Sequence, residues 1–274
     1  MGQKSFKRSD AELVVYEDGK GLPVVFQHGL GGDEAQVAQN VPAAAIHRLT
    51  LECRGHGASA LGNARPFSIR MFAEDVLAAA TAYGFDRFIV GGISMGAAIA
   101  LHLAHHHAHR IAGLVLVRPA WTFEVSPDNL APIRAVASLI LSHPIAEAKR
   151  RFIASETGQR IASEAPDNFS SLLGYFDRPD AVAFASVLAD IAADGQDVPQ
   201  AAAAVLAVPT LIIGNHHDAI HPLSCAQTLA NVIPGASLAE VTAKAVDKNR
   251  HFAEVQDAIA HFLASQTFRS FVPS

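Results

Sequence analysis

The sequence predicts an α/β fold: a mostly parallel sheet covered by helices on both faces, with a block of helices inserted late in the sheet. Three observations carry this. Short apolar runs alternate with helix-period segments along most of the chain, the order from which parallel sheets are built. Several runs, such as Leu114-Val115-Leu116-Val117 and Leu211-Ile212-Ile213, are continuously apolar, as strands buried on both faces are. Between Thr122 and Pro199, helical patterns continue with no convincing strand, divided by Pro127, Pro132, Pro144, Pro166 and Pro179.

Taken in order, Met1 to Asp10 is polar and lacks the apolar stretch of a signal peptide. Strands are expected at Leu13–Tyr16, Pro23–Gln27, Arg48–Cys53, Arg87–Gly91, Gly113–Val117, Thr210–Gly214 and Ser237–Val241. Phe72, Val76 and Tyr83 share a face of an expected helix from Ile69 to Tyr83. Phe252, Val255, Ile259 and Phe262 do the same for a last helix from His251 to Ser265. Gly84, Gly174 and Gly235 are expected at turns. The core domain therefore comprises 1–121 and 200–274, and 122–199 is expected to form a helical cap over the carboxyl edge of the sheet, where ligands bind in open α/β folds.

The composition narrows the function classes. The 274 residues are 50% hydrophobic and 17% charged, with a net charge of −5. No long basic run offers a phosphate-binding face, so nucleic acid is not an expected partner. The most apolar segment, Ala201 to Ile213, contains Pro209 and is shorter than the ~20 residues a membrane helix needs. A cytoplasmic protein acting on a small molecule, with a homo-oligomer left open, is the expectation. Cys53 and Cys225, the two cysteines, are read as small hydrophobic residues rather than a disulfide.

The most informative stretch is Gly92-Ile93-Ser94-Met95-Gly96, between the apolar run Phe88-Ile89-Val90 and the helix-prone Ala97-Ala98-Ile99-Ala100-Leu101. A strand, a sharp turn with serine at its apex and a helix form a nucleophile elbow. Glycines two residues before and after the serine let strand and helix cross closely. A serine alcohol needs a base near neutral pKa, and the base needs a carboxylate to fix its tautomer. Asp218 is the candidate acid, in the polar loop that ends Leu211-Ile212-Ile213-Gly214; Glu124 is its rival. Of fourteen histidines, His251 is the candidate base, because it follows the last strand and the acid and opens the terminal helix. His216, His217 and His221 are competitors close to Asp218, expected not to reach Ser94 from a loop they share with the acid. The glycine-rich turn after Phe26-Gln27-His28-Gly29 offers the Leu30 amide, and the helix start offers that of Met95, as donors to an oxyanion; His28 is expected to brace that turn.

Other residues are weighed for binding. Arg118 ends a strand beside Pro119 and Trp121; it is a candidate cation for a substrate carboxylate, or an arginine satisfied within the protein. Trp121, Phe123, Phe176 and Phe184 are candidate pocket lining. His102/His106 and His105/His109 have i,i+4 spacing, but no carboxylate or cysteine accompanies them in the sequence, so no metal site is expected.

The ordered set of His28-Gly29, Arg54-Gly55-His56-Gly57-Ala58-Ser59, Gly92-Ile93-Ser94-Met95-Gly96, Asp218 and His251 resembles the α/β-hydrolase superfamily. Within it, the run from Gly92 to Ala104 and the position of the helical block resemble small-molecule esterases, enol-lactonases such as 3-oxoadipate enol-lactonase, and carbon–carbon bond hydrolases. The resemblance implies an eight-stranded, mostly parallel sheet, a helical cap and a Ser-His-Asp triad without a cofactor. Two positions depart from the pattern: Glu52 stands near the usual aspartate before the Arg-Gly turn, and Ala97 replaces a frequent second glycine. The expected activity is hydrolysis of a small ester or lactone. Carbon–carbon bond hydrolysis on the same fold, or a non-catalytic ligand receptor, are the alternatives.

Overall fold

The computed structural model describes residues 2–41 and 46–265. One eight-stranded sheet organises the chain, with strands β1 (Gly2–Lys7), β2 (Glu12–Gly19), β3 (Leu22–Gln27), β4 (Ile46–Glu52), β5 (Phe88–Ile93), β6 (Ile111–Val117), β7 (Thr210–Gly214) and β8 (Ser237–Glu240). Their order in the sheet is β1-β2-β4-β3-β5-β6-β7-β8. β2 runs antiparallel to both β1 and β4, and every pairing from β4 to β8 is parallel.

The parallel strands lie where the apolar runs predict. All residues of β5, β6 and β7 are buried, which a strand needs when helices cover both its faces. Successive side chains point to opposite faces. Val24 and Phe26 join Ile89, Val115 and Ile213 on one face, under helices α1 (Glu34–Asn40) and the last helix of the described chain, Lys248–Ala264. Val25 joins Val90, Leu114 and Ile212 on the other, with helices α2 (Ile69–Ala82) and α3 (Met95–His106).

β1 was not expected from the sequence. Its residues Gly-Gln-Lys-Ser-Phe-Lys show no apolar alternation because nearly all are exposed at the sheet edge. Its hydrogen-bond register with β2, from Gly2↔Glu17 to Lys7↔Glu12, makes it a strand, and Lys4 and Lys7 keep the open edge charged.

Between β6 and β7 the described chain makes no strand. It forms α4 (Ala131–Ser142), α5 (Ile145–Ala154), α6 (Glu156–Glu164), α7 (Pro166–Phe176), α8 (Ala181–Ala193) and the short α9 (Gln200–Ala203). The prolines act as helix starters: Pro132 and Pro166 occupy first-turn positions and Pro144 is the N-cap of α5. Gly84 and Gly235 have the left-handed φ expected of turns, 77° and 68°, but Gly174 lies inside α7, where it needs no special conformation. These helices are anchored to the carboxyl edge of the sheet. Tyr175 Oη donates to the Leu30 carbonyl at 3.0 Å, and Asn168 Oδ1 accepts the Ala219 amide at 2.6 Å. After β7 come α10 (Leu223–Val232), β8 and α11 (Lys248–Ala264). No helix of the described residues is long and apolar enough to cross a membrane.

Candidate active site

The turn after β5 has the expected elbow geometry. Ser94 adopts φ 56°, ψ −111°, a region that costs a side-chain-bearing residue about 1–3 kcal/mol. Both flanking glycines are required by close approach: a Cβ on Gly92 would lie 2.3 Å from the Gly96 carbonyl carbon, and one on Gly96 would lie 2.4 Å from the Gln27 carbonyl oxygen. Ala97 is buried without disturbance in α3. The strain turns the serine hydroxyl out over the carboxyl ends of β3 and β5, where the sheet order reverses.

Asp218 and Ser94 meet the same imidazole, and it belongs to His221. Ser94 Oγ lies 2.8 Å from His221 Nε2, and His221 Nδ1 lies 2.9 Å from Asp218 Oδ1. The serine hydroxyl donates to Nε2 when the ring proton sits on Nδ1 and donates to the carboxylate. The expectation that a histidine sharing the acid's loop could not reach Ser94 is corrected here. Asp218 Oδ1 also accepts the amides of Ile220 (3.2 Å) and His221 (2.9 Å), which curls the loop back on the carboxylate. The ring at position 221 is thereby stacked above its own acid and aimed inward. β7 is two strands from β5, about 10 Å, and an imidazole on a curled loop covers the gap.

His251 does not take part. It is buried in the first turn of α11, its Nδ1 donates to the Thr242 carbonyl at 2.8 Å, and its Nε2 has no partner. Burial lowers its pKa to about 4, so the ring is neutral. With Glu254, whose carboxylate accepts the Thr242 amide at 2.6 Å, it braces the segment that follows β8. Of the other competitors, His216 contacts Glu240 at 3.0 Å on the surface and His217 is exposed. Glu124 is exposed and carries no contact with this cluster.

Arg118 is the neighbour that fixes the acid. Its Nε donates to Asp218 Oδ2 at 2.8 Å and its Nη2 to the same oxygen, with the two side chains 7% and 1% exposed. Of the two readings of Arg118, the structure meets the arginine satisfied within the protein rather than the cation free for substrate: its charge is held by Asp218, with Asp167 at 4.0 Å. Burial alone would raise the Asp218 carboxyl, but the His221 and Arg118 charges and the hydrogen bonds outweigh it and hold the group well below the usual carboxylate range. For His221, burial is the largest influence and lowers the pKa; Asp218 opposes it, while Arg118 and Lys244 add to it.

Of the two residues whose amides the sequence offers as oxyanion donors, Leu30 lines the same cavity as Ser94 and Met95 follows Ser94 in the chain. The Met95 amide opens α3 and has no preceding helical turn to bond. Leu30 follows Gly29, whose own Cβ position would be 3.4 Å from Ser94 Cβ. His28 braces this turn as expected: Nδ1 donates to the Gly29 carbonyl at 2.8 Å, and Nε2 accepts the Cys53 amide at 3.0 Å. Gln36 Oε1 accepts the Gly29 amide at 2.7 Å. Glu52, at the position of the usual aspartate, accepts the Ala58 amide at 2.7 Å and so holds the Arg54–Ser59 turn.

A cavity with about 100 Å³ of open space lies over Ser94. Its floor is Gly29, Leu30, Ile93 and Ser94; Ile133, Leu172 and Tyr175 of the inserted helices form its roof; Arg118, His221 and Lys244 give it a charged side. Trp121, Phe123, Phe176 and Phe184 do not line it. Trp121 is buried with its Nε1 donating to the Asp194 carbonyl at 3.0 Å, and Phe176 and Phe184 pack against Phe152 and His56. Tyr175, which sequence reasoning missed, is the aromatic residue of the cavity wall. Lys244 was also missed; nothing in the sequence around it signals a site.

Away from this cavity, the fold supplies the carboxylate that the His102/His106 pair lacked in sequence. Asp197 approaches His106 Nε2, whose contact with the Asp197 carbonyl is 2.9 Å. Cys53 and Cys225 are free thiols.

Comparison with known proteins agrees with this architecture. A family model described as the alpha/beta hydrolase fold matches residues 23–143. The chain is 24% identical over 274 residues to pyrrolizixenacetamide deacetylase of Xenorhabdus hominickii, covering 96% of both chains. It is 32% identical over 169 residues to pimeloyl-[acyl-carrier protein] methyl ester esterase of Aromatoleum aromaticum, covering 56% of this chain and 64% of that one. The crystal structure of the enol-lactonase from Burkholderia xenovorans LB400 superposes with a TM-score of 0.68 at 23% identity, covering 95% of this chain and 97% of the other. The sheet order, the serine at a strained elbow and the family model over residues 23–143 together show the α/β-hydrolase fold.

Proposed function

We propose that the protein is a serine hydrolase that cleaves a small carboxylic ester or lactone through an acyl-enzyme. Ser94 is the nucleophile, His221 the base and Asp218 the acid that orients it. The observation that carries this reading is the unbroken hydrogen-bonded line from Ser94 Oγ through His221 to Asp218, at 2.8 and 2.9 Å. Base and acid thus come from one loop, three residues apart, and the role expected of His251 passes to His221.

In the first half-reaction, His221 Nε2 takes the Ser94 proton as Oγ attacks the carbonyl carbon. The resulting oxyanion is met by the amides of Leu30 and Met95, each worth on the order of 10²–10³ in turnover. The C–O bond then breaks, and the leaving oxygen takes the proton from Nε2. In the second half-reaction, His221 takes a proton from water, hydroxide adds to the acyl carbon, and Ser94 leaves with the proton returned. Asp218, held ionised by Arg118, stabilises the imidazolium at both stages. The helices between β6 and β7 act as a cap that keeps bulk water from the acyl-enzyme.

The relatives favour acyl chemistry: their names describe a deacetylase, a methyl ester esterase and an enol-lactonase. The test is covalent labelling with a fluorophosphonate probe followed by peptide mapping. The expected result is a single adduct on Ser94 that is absent in Ser94→Ala. No adduct on the folded wild-type protein would overturn the reading in favour of a non-catalytic binder.

A further inference from the structure

The charged side of the cavity holds two cations with different fates. Arg118 is committed to Asp218 through two donors. Lys244, on the segment between β8 and α11, lines the same cavity. Among the described residues no carboxylate oxygen lies within 4.0 Å of its ammonium, and its one close partner is the ring of Phe252, 5.3 Å away. Asp167 is the nearest candidate for a counter-ion, and it stands 4.0 Å from Arg118 rather than on Lys244. Asp218 also acts on the lysine at a distance, but its carboxylate is bound by Arg118 and His221; a half-buried lysine with no carboxylate in contact is unusual, because desolvation penalises the charge unless an anion compensates it.

The surroundings suit an anion. Asn168 spends its side-chain oxygen on the amides of Ala219 and Ile220, which leaves its NH₂ as a donor at the cavity wall. His251 and Glu254 fix the backbone of Thr242, two residues before the lysine, so the cation is carried on a braced segment. Leu30 of the floor and Ile133 and Leu172 of the roof give the rest of the cavity apolar lining.

We infer that Lys244 is the anion-binding residue of the substrate pocket and that the substrate carries a carboxylate group beside the bond that is cleaved. This deepens the hydrolase reading and rests on it for the word substrate, but the anion site stands on its own geometry. The lysine pKa, lowered by burial to about 8, is consistent: the charge is present at neutral pH and would be secured by a bound anion.

The test compares matched pairs of esters: monomethyl succinate with dimethyl succinate, and O-acetylglycolate with O-acetylglycolamide. The wild type is expected to prefer the anion of at least one pair by 10-fold or more in kcat/KM. Lys244→Met and Lys244→Gln are expected to reduce that preference by 10-fold or more, and Lys244→Arg to retain it. A wild type that favours the neutral esters, or Lys244 variants that lose both members of a pair in equal proportion, would overturn the proposal. If no ester of either kind is hydrolysed, the hydrolase reading fails, and the anion site is then read by calorimetric titration with succinate. Binding that weakens at least 10-fold in Lys244→Met supports the site, and binding unaffected by the substitution overturns it.

Discussion

A single added methyl group distinguishes the elbow from the inserted helices. In Gly96→Ala the new Cβ would sit 2.4 Å from the Gln27 carbonyl oxygen, 2.7 Å from its carbon and 2.9 Å from the His28 carbonyl oxygen. All three are backbone atoms at the end of β3, so no side chain can rotate away. Restoring the shortest contact to 3.0 Å requires α3 and β3 to part by at least 0.6 Å. Such overpacking costs about 1–3 kcal/mol, or about 3–10 °C in Tm for a chain of this size. The same displacement separates Ser94 from the Gly29-Leu30 turn, and a misplacement near 1 Å can cost about 10²-fold in rate. Gly174→Ala is the matched control. It lies exposed within α7, and its Cβ would meet nothing within 4 Å. There the substitution removes only unfolded-state freedom and should stabilise by about 0.5–1 kcal/mol. Thermal unfolding and ester turnover, measured on both variants, check the argument. Wild-type Tm and turnover in Gly96→Ala, or a destabilised Gly174→Ala, would refute it.

Four further outcomes are expected, two of them in the pH profile. The acid limb of kcat/KM should fall at a pH below the ordinary histidine value of 6.5, since burial lowers the His221 pKa and the base works only when neutral; with an anionic ester, an alkaline limb near pH 8 should appear as Lys244 loses its proton. Arg118→Met leaves a buried carboxylate without its cation, a loss of about 3–5 kcal/mol, and should lower the Tm by on the order of 10 °C together with turnover. EDTA should leave turnover unchanged, because the described side chains spaced to hold a metal are His102 and His106, about 12 and 18 Å along α3 from Ser94, with Asp197 beside them from outside that helix.

Much of this architecture could be read from residue order. The continuous apolar runs predicted the buried strands, with β7 matched at both ends, because burial on both faces leaves no polar alternation to blur them. The Gly-x-Ser-x-Gly spacing located Ser94 because the close crossing at Gly92 and Gly96 is a steric demand on the sequence itself. Asp218, singled out by its place after β7, does meet the imidazole that contacts Ser94. The imidazole that stands between Ser94 and Asp218 was not legible, because choosing among fourteen histidines by position ignores how a loop curls. The signal that would have found His221 is local: an aspartate three residues before a histidine, with Pro222 next, can accept the intervening amides and fold the ring over its own carboxylate. β1 was missed because an exposed edge strand has no apolar face to show. The aromatic residues assigned to the pocket went instead to the core, since helix packing in the inserted block, not composition, decides which side chains reach the cavity.

The central claim is that the imidazole serving Ser94 is carried by the loop that carries the acid. Steady-state turnover of an activated ester by His221→Ala and His251→Ala, each checked for folding by circular dichroism, tests it most directly. The account predicts a loss of at least about 10³-fold for His221→Ala, with His251→Ala retaining turnover within about 10-fold once folded. The reverse pattern, with His221→Ala active and folded His251→Ala inert, would contradict it.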